Sequence, residues 1–142
     1  QQQPEMMVAL REMPERMKTA VEEILRLESS VPRMWRLAAR DVTLGEHQIK
    51  AGQMVFPMLS AANRDPSYFA EPDRLSLTRK NMKHVAFGFG IHYCIGAPLA
   101  RLEGGIALRK LLQALPTMRL AETPRWSEDI AIRRLESLPI IF

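Results

Sequence analysis

The sequence has a single cysteine, Cys94, in 142 residues. An internal disulfide is therefore excluded, and such sparse cysteine use is typical of a reducing compartment, so we expect a cytoplasmic protein. Aromatic residues make up only 6% of the chain and the basic residues are scattered, which argues against a nucleic-acid surface. No run approaches the roughly 18 apolar residues of a membrane helix, and we expect no secretory signal peptide at the start.

The remaining composition is that of a soluble globular protein, with 46% hydrophobic and 25% charged residues. The length fits one typical domain. No repeat, low-complexity segment or change of composition divides the chain, so we predict no domain boundary within residues 1–142. The net charge of +4 is compatible with an acidic protein partner.

Hydrophobic periodicity predicts two main helices. Apolar residues recur at helical spacing over Pro14–Glu28 and again over Ala97–Leu115, where Pro116 ends the pattern. A short helix is expected within Gln1–Arg11, and another over Met58–Asn63.

Short apolar or alternating runs predict strands between and after these helices. The predicted strands are Met34–Ala38, Val42–Leu44, His47–Ile49, Met54–Phe56, Thr117–Leu120, Ile130–Arg133 and Pro139–Phe142, with a turn at Leu135–Pro139. The segment Ser67–Val85 shows little periodicity and is expected to be extended. The predicted fold class is therefore mainly α with small antiparallel β-sheets (α+β).

The most informative stretch runs from Phe87 to Gly96 and surrounds Cys94 with three glycines. Glycines allow tight turns and a close approach of the backbone to a ligand. A helix is predicted to begin at Ala97, and a helix N-terminus favours a nearby thiolate. The pattern indicates a loop that presents one sulfur atom to something bound.

Several interpretations of Cys94 are open on the residues alone. It could be a small buried apolar residue, or a nucleophile with His92 as its base, although no third group to orient that base is evident. A structural zinc site needs about four ligands, and the glycines miss the spacing of a dinucleotide fingerprint. The remaining interpretation is a single axial thiolate on a haem iron.

The string Phe87-Gly88-x-Gly90-x-His92-x-Cys94-x-Gly96 matches the cysteine-loop signature of the cytochromes P450, the haem-thiolate monooxygenases. The continuation Ala97–Glu103 resembles the soluble bacterial branch of that family. The resemblance implies the C-terminal part of the P450 fold and haem b (iron protoporphyrin IX) as cofactor. It implies Cys94 as the iron ligand, Phe87, Gly88 and Gly96 as cofactor-binding loop residues, and His92 as a propionate contact. His84 is expected to pack or cap rather than to contact haem.

Two further motifs resemble the family. Glu23-x-x-Arg26 matches its E-x-x-R motif, and Pro72-Asp73-Arg74 supplies Arg74 as the expected third member of a structural triad. In the string from Arg36 to Asp41, the resemblance makes Arg36 the propionate arginine, with Arg40 as the less favoured alternative. The segment Val31–Trp35 corresponds to a substrate-contact region, where Trp35 either lines the pocket or packs.

The activity implied by the resemblance is insertion of one oxygen atom into a small apolar substrate. Electrons would come from a ferredoxin or flavin reductase that docks on basic residues, namely Arg79, Lys80, Lys83, Arg101, Arg109 and Lys110. The resemblance covers only the C-terminal third of a family member, so we expect an inactive fragment, with no catalytic residue beyond the haem ligand. The alternatives are a non-catalytic haem-binding or sensing module and a truncated remnant.

Overall fold

The computed structural model describes residues 5–142, so the expected start of the first helix at residues 1–4 lies outside the described residues. Within residues 5–142, four α-helices and eight short strands alternate with long irregular segments. The helices are α1 (Glu5–Glu12), α2 (Met17–Leu27), α3 (Leu59–Ala62) and α4 (Ala97–Ala114). A 3₁₀ turn over Pro14–Arg16 leads into α2, where proline at the helix entry costs no hydrogen bond.

Helices α2 and α4 pack against each other and form the centre of the fold, with α1 beside them. The buried core consists of Leu10, Met17, Ala20, Leu77 and Leu112. Gly104 of α4 faces Val21 of α2 so closely that a Cβ atom at Gly104 would lie 3.4 Å from a Val21 methyl group. The absence of a side chain at Gly104 therefore sets how closely the two helices approach.

In the part of the chain that the structure describes, the strands form four separate two-stranded antiparallel sheets. They are β1 (Arg36–Leu37), β2 (Val42–Leu44), β3 (His47–Ile49), β4 (Met54–Val55), β5 (Arg119–Leu120), β6 (Arg125–Trp126), β7 (Leu135–Ser137) and β8 (Ile140–Ile141). The pairs are β1 with β4, β2 with β3, β5 with β8 and β6 with β7. The predicted α+β class is confirmed, and β2 and β3 have the predicted bounds.

Two predictions near the C-terminus are wrong. Residues 130–133 form a loop rather than a strand, because the Asp129 carboxylate accepts the backbone N–H groups of Ala131 (2.8 Å) and Ile132 (3.2 Å). These donors are then unavailable to a strand ladder. The stretch predicted as a turn at Leu135–Pro139 instead contains β7, which pairs with β6.

Between α3 and the turn at Gly90 the chain has no helix or strand, as predicted for Ser67–Val85. This segment, residues 63–89, is called the meander below. Side chains of α2 and their partners hold it in place, as described in the next section. Among residues 5–142, none of the helices has the length and apolarity needed to cross a bilayer.

Candidate haem-binding site

Cys94 lies on a tightly turned loop just before α4. Gly88 and Gly90 have φ angles of +75° and +72°, a region that residues with a side chain rarely adopt. The Cys94 N–H donates to the Phe87 carbonyl at 3.0 Å, and the Cys94 carbonyl accepts the Ala97 N–H at 3.2 Å. The loop thus closes on itself across the cysteine, and its free thiol is exposed.

The thiol faces a cleft of about 250 Å³ whose lining is mostly apolar. The lining residues are Leu25, Ser29, Ser30, Val31, Met34, Leu59, Ala86, Phe87, Gly88, His92 and Cys94. A Cβ atom added at Gly96 would lie 3.8 Å from the Cys94 sulfur, so glycine leaves that side of the sulfur open. Phe89, Ile91 and Ile95 around the thiol are 87%, 98% and 99% exposed. The loop therefore presents an unusually apolar surface.

A second cleft, of about 380 Å³, shares Val31 and Met34 with the first and so lies next to it. Arg36 lines this second cleft, and its guanidinium donates to the Trp35 carbonyl at 2.8 Å. No carboxylate of residues 5–142 pairs with the Arg36 side chain. Trp35 lines the same cleft with 59% of its surface exposed.

Beneath the loop, Glu23 and Arg26 form a fully buried ion pair at 2.7 Å on α2. All five N–H groups of Arg26 have acceptors. Two are donated to the Glu23 carboxylate and three to the carbonyls of Asn63, Pro72 and Arg74. Because those carbonyls belong to the start and middle of the meander, this one side chain fixes the meander to α2.

The third member of this cluster is Arg79, and the prediction of Arg74 is wrong. Arg79 Nε donates to Glu23 Oε1 at 2.9 Å, and the Arg79 side chain is only 9% exposed. The Arg74 side chain is 59% exposed and pairs with Glu71 at 3.1 Å. Arg74 joins the cluster only through its carbonyl, which accepts from Arg26 and Arg79.

The Glu23 carboxylate receives four hydrogen bonds, since the Ser76 N–H also donates at 3.0 Å. Burial alone would raise the pKa of Glu23. The bonds from Arg26, Arg79 and Ser76 outweigh that effect, and the pKa lies below its ordinary value. Glu23 is therefore a carboxylate held ionised inside the protein.

Asn63 is a supporting residue that the sequence analysis did not identify. Its side chain is fully buried, donates to Ser29 Oγ at 3.0 Å and accepts the Val85 N–H at 2.7 Å. It therefore ties the end of α2 to the residues that enter the cysteine loop. The sequence signal, an asparagine at a helix end before Asp65-Pro66, indicated only a turn.

A second polar cluster is centred on Glu22, one residue before Glu23. Arg101 of α4 donates to both carboxylate oxygens of Glu22, at 2.6 and 3.0 Å, and to the Tyr93 hydroxyl at 2.8 Å. The sequence analysis placed Arg101 among the exposed basic residues for docking an electron donor, whereas its guanidinium is engaged by Glu22 and Tyr93. The bond to Glu22 raises the pKa of Arg101 and, against the opposing effect of burial, the bonds from Arg101 and His84 lower the pKa of Glu22.

His84 belongs to the same cluster, with a side chain that is 1% exposed. Nδ1 accepts the Ala86 N–H at 3.2 Å, which leaves Nε2–H to donate to Glu22 at 3.0 Å. Burial lowers the pKa of His84 and outweighs the nearby Glu22 carboxylate, which acts in the opposite direction. His84 packs and hydrogen-bonds within the protein, as expected.

Comparison with known proteins identifies the fold. The family model described as cytochrome P450 matches residues 1–129. The chain belongs to the cytochrome P450 family.

Bacterial P450s are among the relatives of the chain. The chain is 47% identical over 135 residues to the polyketide biosynthesis cytochrome P450 PksS of Bacillus subtilis. The aligned region covers 92% of the chain and 33% of that protein. It is 44% identical to the biotin biosynthesis cytochrome P450 of the same organism, over 99% of the chain and 36% of that protein. The chain thus spans about a third of the length of these curated relatives.

Solved P450 structures superpose closely on the chain. The structure of P450BioI in complex with an acyl carrier protein ligated to hexadec-9Z-enoic acid matches with a TM-score of 0.95 at 44% identity, over 99% of the chain and 37% of that chain. The tirandamycin C-bound P450 TamI matches with a TM-score of 0.90 at 46% identity, over 94% and 35%.

The residues around Cys94 fit the haem that the P450 family implies. An exposed thiol in an apolar surround, with glycine on one side of the sulfur, suits a flat apolar macrocycle bound through one axial sulfur. His92 lines the first cleft and Arg36 the neighbouring one, so two groups suited to propionates border the same region. Within residues 5–142, no three potential ligands converge as a zinc site would require.

Proposed function

We propose that the chain is the C-terminal, haem-binding portion of a bacterial haem-thiolate monooxygenase, without an internal domain boundary. The complete enzyme would insert one atom of O₂ into a small apolar substrate, using two electrons from a partner. The observation that carries the proposal is the free Cys94 thiol on its glycine-rich loop at the mouth of an apolar cleft.

In this proposal each residue of the chain has a limited task. Cys94 would supply the thiolate that holds the iron, and haem b, when bound, would supply the oxygen chemistry, which a thiolate ligand favours by donating electron density. Gly88 and Gly96 let the loop approach the macrocycle closely. Phe87 lines the cleft beside the sulfur and excludes water. His92 and Arg36 hydrogen-bond the propionates, for which a guanidinium fork is well suited.

The test is the reduced carbon monoxide difference spectrum of the purified protein after reconstitution with haem. We expect a red-shifted Soret band, typical of a thiolate ligand, that disappears in Cys94→Ala. A thiolate-type band that persists in Cys94→Ala would overturn the assignment of the ligand. Exposed Glu122→Ala, which lies outside both clefts, is the control that should retain the band.

We also propose that the 142 residues do not turn over substrate alone, because they span about a third of related P450s. The apolar residues Leu99, Leu102 and Ile106 on α4 are more than half exposed, as expected if further protein covers them in the complete enzyme. Substrate oxidation by the 142 residues with an added electron donor would contradict this.

For the electron donor we propose an acidic ferredoxin or flavin protein. With Arg101 and Arg79 committed to internal carboxylates, the exposed basic residues left for docking are Lys80, Lys83, Arg109 and Lys110. In the complete enzyme, Arg109→Glu with Lys110→Glu should slow reduction by the partner while reduction by dithionite is unchanged. Equal rates of partner-driven reduction in wild type and variant would exclude docking there.

A further inference from the structure

We propose that Tyr93 and Arg101 are positioning residues for the Cys94 thiolate, with Glu22 as their anchor. The proposal rests on the proposed function, since it concerns the sulfur that would bind the iron. It gives the second polar cluster a role in orienting the Cys94 sulfur, in addition to its role in stabilising the fold.

The first observation is that the polar cluster around Glu22 includes Tyr93, the residue directly before Cys94. The Tyr93 hydroxyl accepts the Arg101 Nη1–H at 2.8 Å. A phenol hydroxyl fixed at its tip restricts the rotation of the Tyr93 side chain, and through it the Tyr93–Cys94 peptide. The Tyr93 side chain is 47% exposed, so much of its surface has no packing partner within residues 5–142.

The second observation is that Arg101 itself is rigidly held. Its Nε and Nη2 both bond the Glu22 carboxylate, the fork geometry that is the strongest arrangement for such a pair. Glu22 is in turn fixed on α2 and bonded by His84. The position of Tyr93 is therefore fixed relative to α2 and α4, which pack against each other.

The third observation is that Arg101 also contacts the start of the loop. The Arg101 guanidinium carbon lies 4.8 Å from the centroid of the Phe87 ring, within range of a cation–π contact. The Phe87 and Tyr93 rings are 6.4 Å apart in an edge-to-face arrangement. The Arg101 guanidinium thus restrains two residues next to the sulfur loop's closing hydrogen bond. They are Phe87, whose carbonyl accepts the Cys94 N–H, and Tyr93, which directly precedes Cys94.

These contacts have a consequence for a metal ligand. Groups that orient a ligand typically change metal affinity about 10–100-fold when they are removed. Loss of the Arg101–Tyr93 bond should let the sulfur sample positions in which it is a poorer thiolate ligand. Lysine at position 101 keeps the charge but cannot bond both Glu22 oxygens and the Tyr93 hydroxyl in one plane.

The test compares haem-reconstituted Tyr93→Phe, Arg101→Lys and Arg101→Met proteins with Tyr68→Phe as a matched control. Tyr68 is as exposed as Tyr93, and its hydroxyl takes part in none of the hydrogen bonds within residues 5–142. The readouts are the share of the reduced carbon monoxide complex in the thiolate-type Soret band, the reduction potential, and haem retention. The melting temperature of each variant is measured alongside.

We expect a smaller thiolate-type share and a shifted potential in Tyr93→Phe, and about 10-fold weaker haem retention in Arg101→Met. Arg101→Lys should be intermediate and Tyr68→Phe unchanged. A wild-type band with unaltered spectra and potentials in all variants would overturn the inference, as would a fall in melting temperature alone. A wild type that forms no thiolate complex would overturn the proposed function, and this inference with it.

Discussion

Glu23 holds its charge inside the protein because two guanidinium groups and one amide converge on it. Removing a partner from such a buried carboxylate leaves part of its charge uncompensated, which is more costly than losing a surface ion pair. Arg74 and Arg79, which both lie in the meander, should therefore differ sharply in their contribution to stability.

We expect Arg79→Leu to lower the free energy of unfolding by about 1.5–3 kcal/mol, the range for a hydrogen bond to a charged group. Arg74→Leu should change it by less than about 0.5 kcal/mol, because among residues 5–142 its exposed side chain pairs only with Glu71. Urea unfolding followed by circular dichroism measures both. Equal losses in the two variants would contradict the assignment of Arg79 to the buried cluster.

His84 predicts a pH dependence of stability. Its pKa in the folded protein lies below the ordinary value of about 6.5, because the buried imidazole resists protonation. The unfolded chain thus binds a proton more readily, so this group gives full stability above about pH 6.5. That contribution falls as the pH drops from there toward the folded pKa.

The corresponding measurement is the free energy of unfolding at about pH 7.5, 6.5 and 5.5, the range around the ordinary pKa. His84→Gln can still donate to Glu22 but does not titrate, so its stability should depend less on pH than that of wild type. Exposed His47→Gln is the control and should keep the wild-type slope. A steeper slope in His84→Gln would show that the sign is wrong.

At the scale of elements, the α2–α4 contact depends on one of two adjacent glycines. Gly104→Leu should lower the free energy of unfolding by about 1–3 kcal/mol, since its side chain would press against Val21. Nothing lies within 4 Å of a Cβ atom at Gly105, so Gly105→Leu should be neutral or stabilise the helix by up to about 1 kcal/mol. Thermal unfolding of the two variants measures this difference in stability. A larger loss of stability in Gly105→Leu than in Gly104→Leu would contradict the packing argument.

Elements with clear periodicity were predictable from the sequence, and the short irregular ones were not. The helices α2 and α4 follow from apolar residues at helical spacing, and the β2–β3 hairpin follows from short alternating runs. The pairing of β6 with β7 has no such signal, because β6 is two residues long and its register depends on a turn closed by the Asp129 side chain. A local hydrogen bond there outweighed the apolar character that favoured a strand at 130–133.

In the candidate site, too, local sequence motifs were predictable and contacts between distant residues were not. The family signature located Cys94 and its loop, since every signature residue lies within ten positions. The sequence could not distinguish Arg79 from Arg74, because both lie in the meander and only the folded chain brings one of them to Glu23. The Arg101–Glu22 pair joins residues 79 positions apart, so a surface charge was the natural expectation for Arg101.

For the whole molecule, the distribution of apolar surface predicts association. Leu102 and Ile106 are 60% and 54% exposed on the same side of α4. We expect the purified chain to self-associate with rising concentration, and Leu102→Gln with Ile106→Gln to reduce this, because apolar contact area is removed. Sedimentation equilibrium measures the mass.

Exposed Ala107→Gln on the same helix is the control for this prediction, because it adds the same amide without removing large apolar area. A wild-type chain that stays monomeric across the accessible concentrations would contradict the expectation. Equal effects of the control and the double variant would show that another surface is responsible.

The division of the strands into four separate pairs has a consequence for how the chain can misassemble. Within residues 5–142 every strand has one ladder partner, so each keeps one edge whose N–H and C=O groups another strand could template onto. These strands are only two or three residues long, whereas segments that seed cross-β fibrils are about six or seven residues long. Unpaired edges of this length offer too few hydrogen bonds to nucleate a fibril, so these open-edged strands are poor starting points for amyloid.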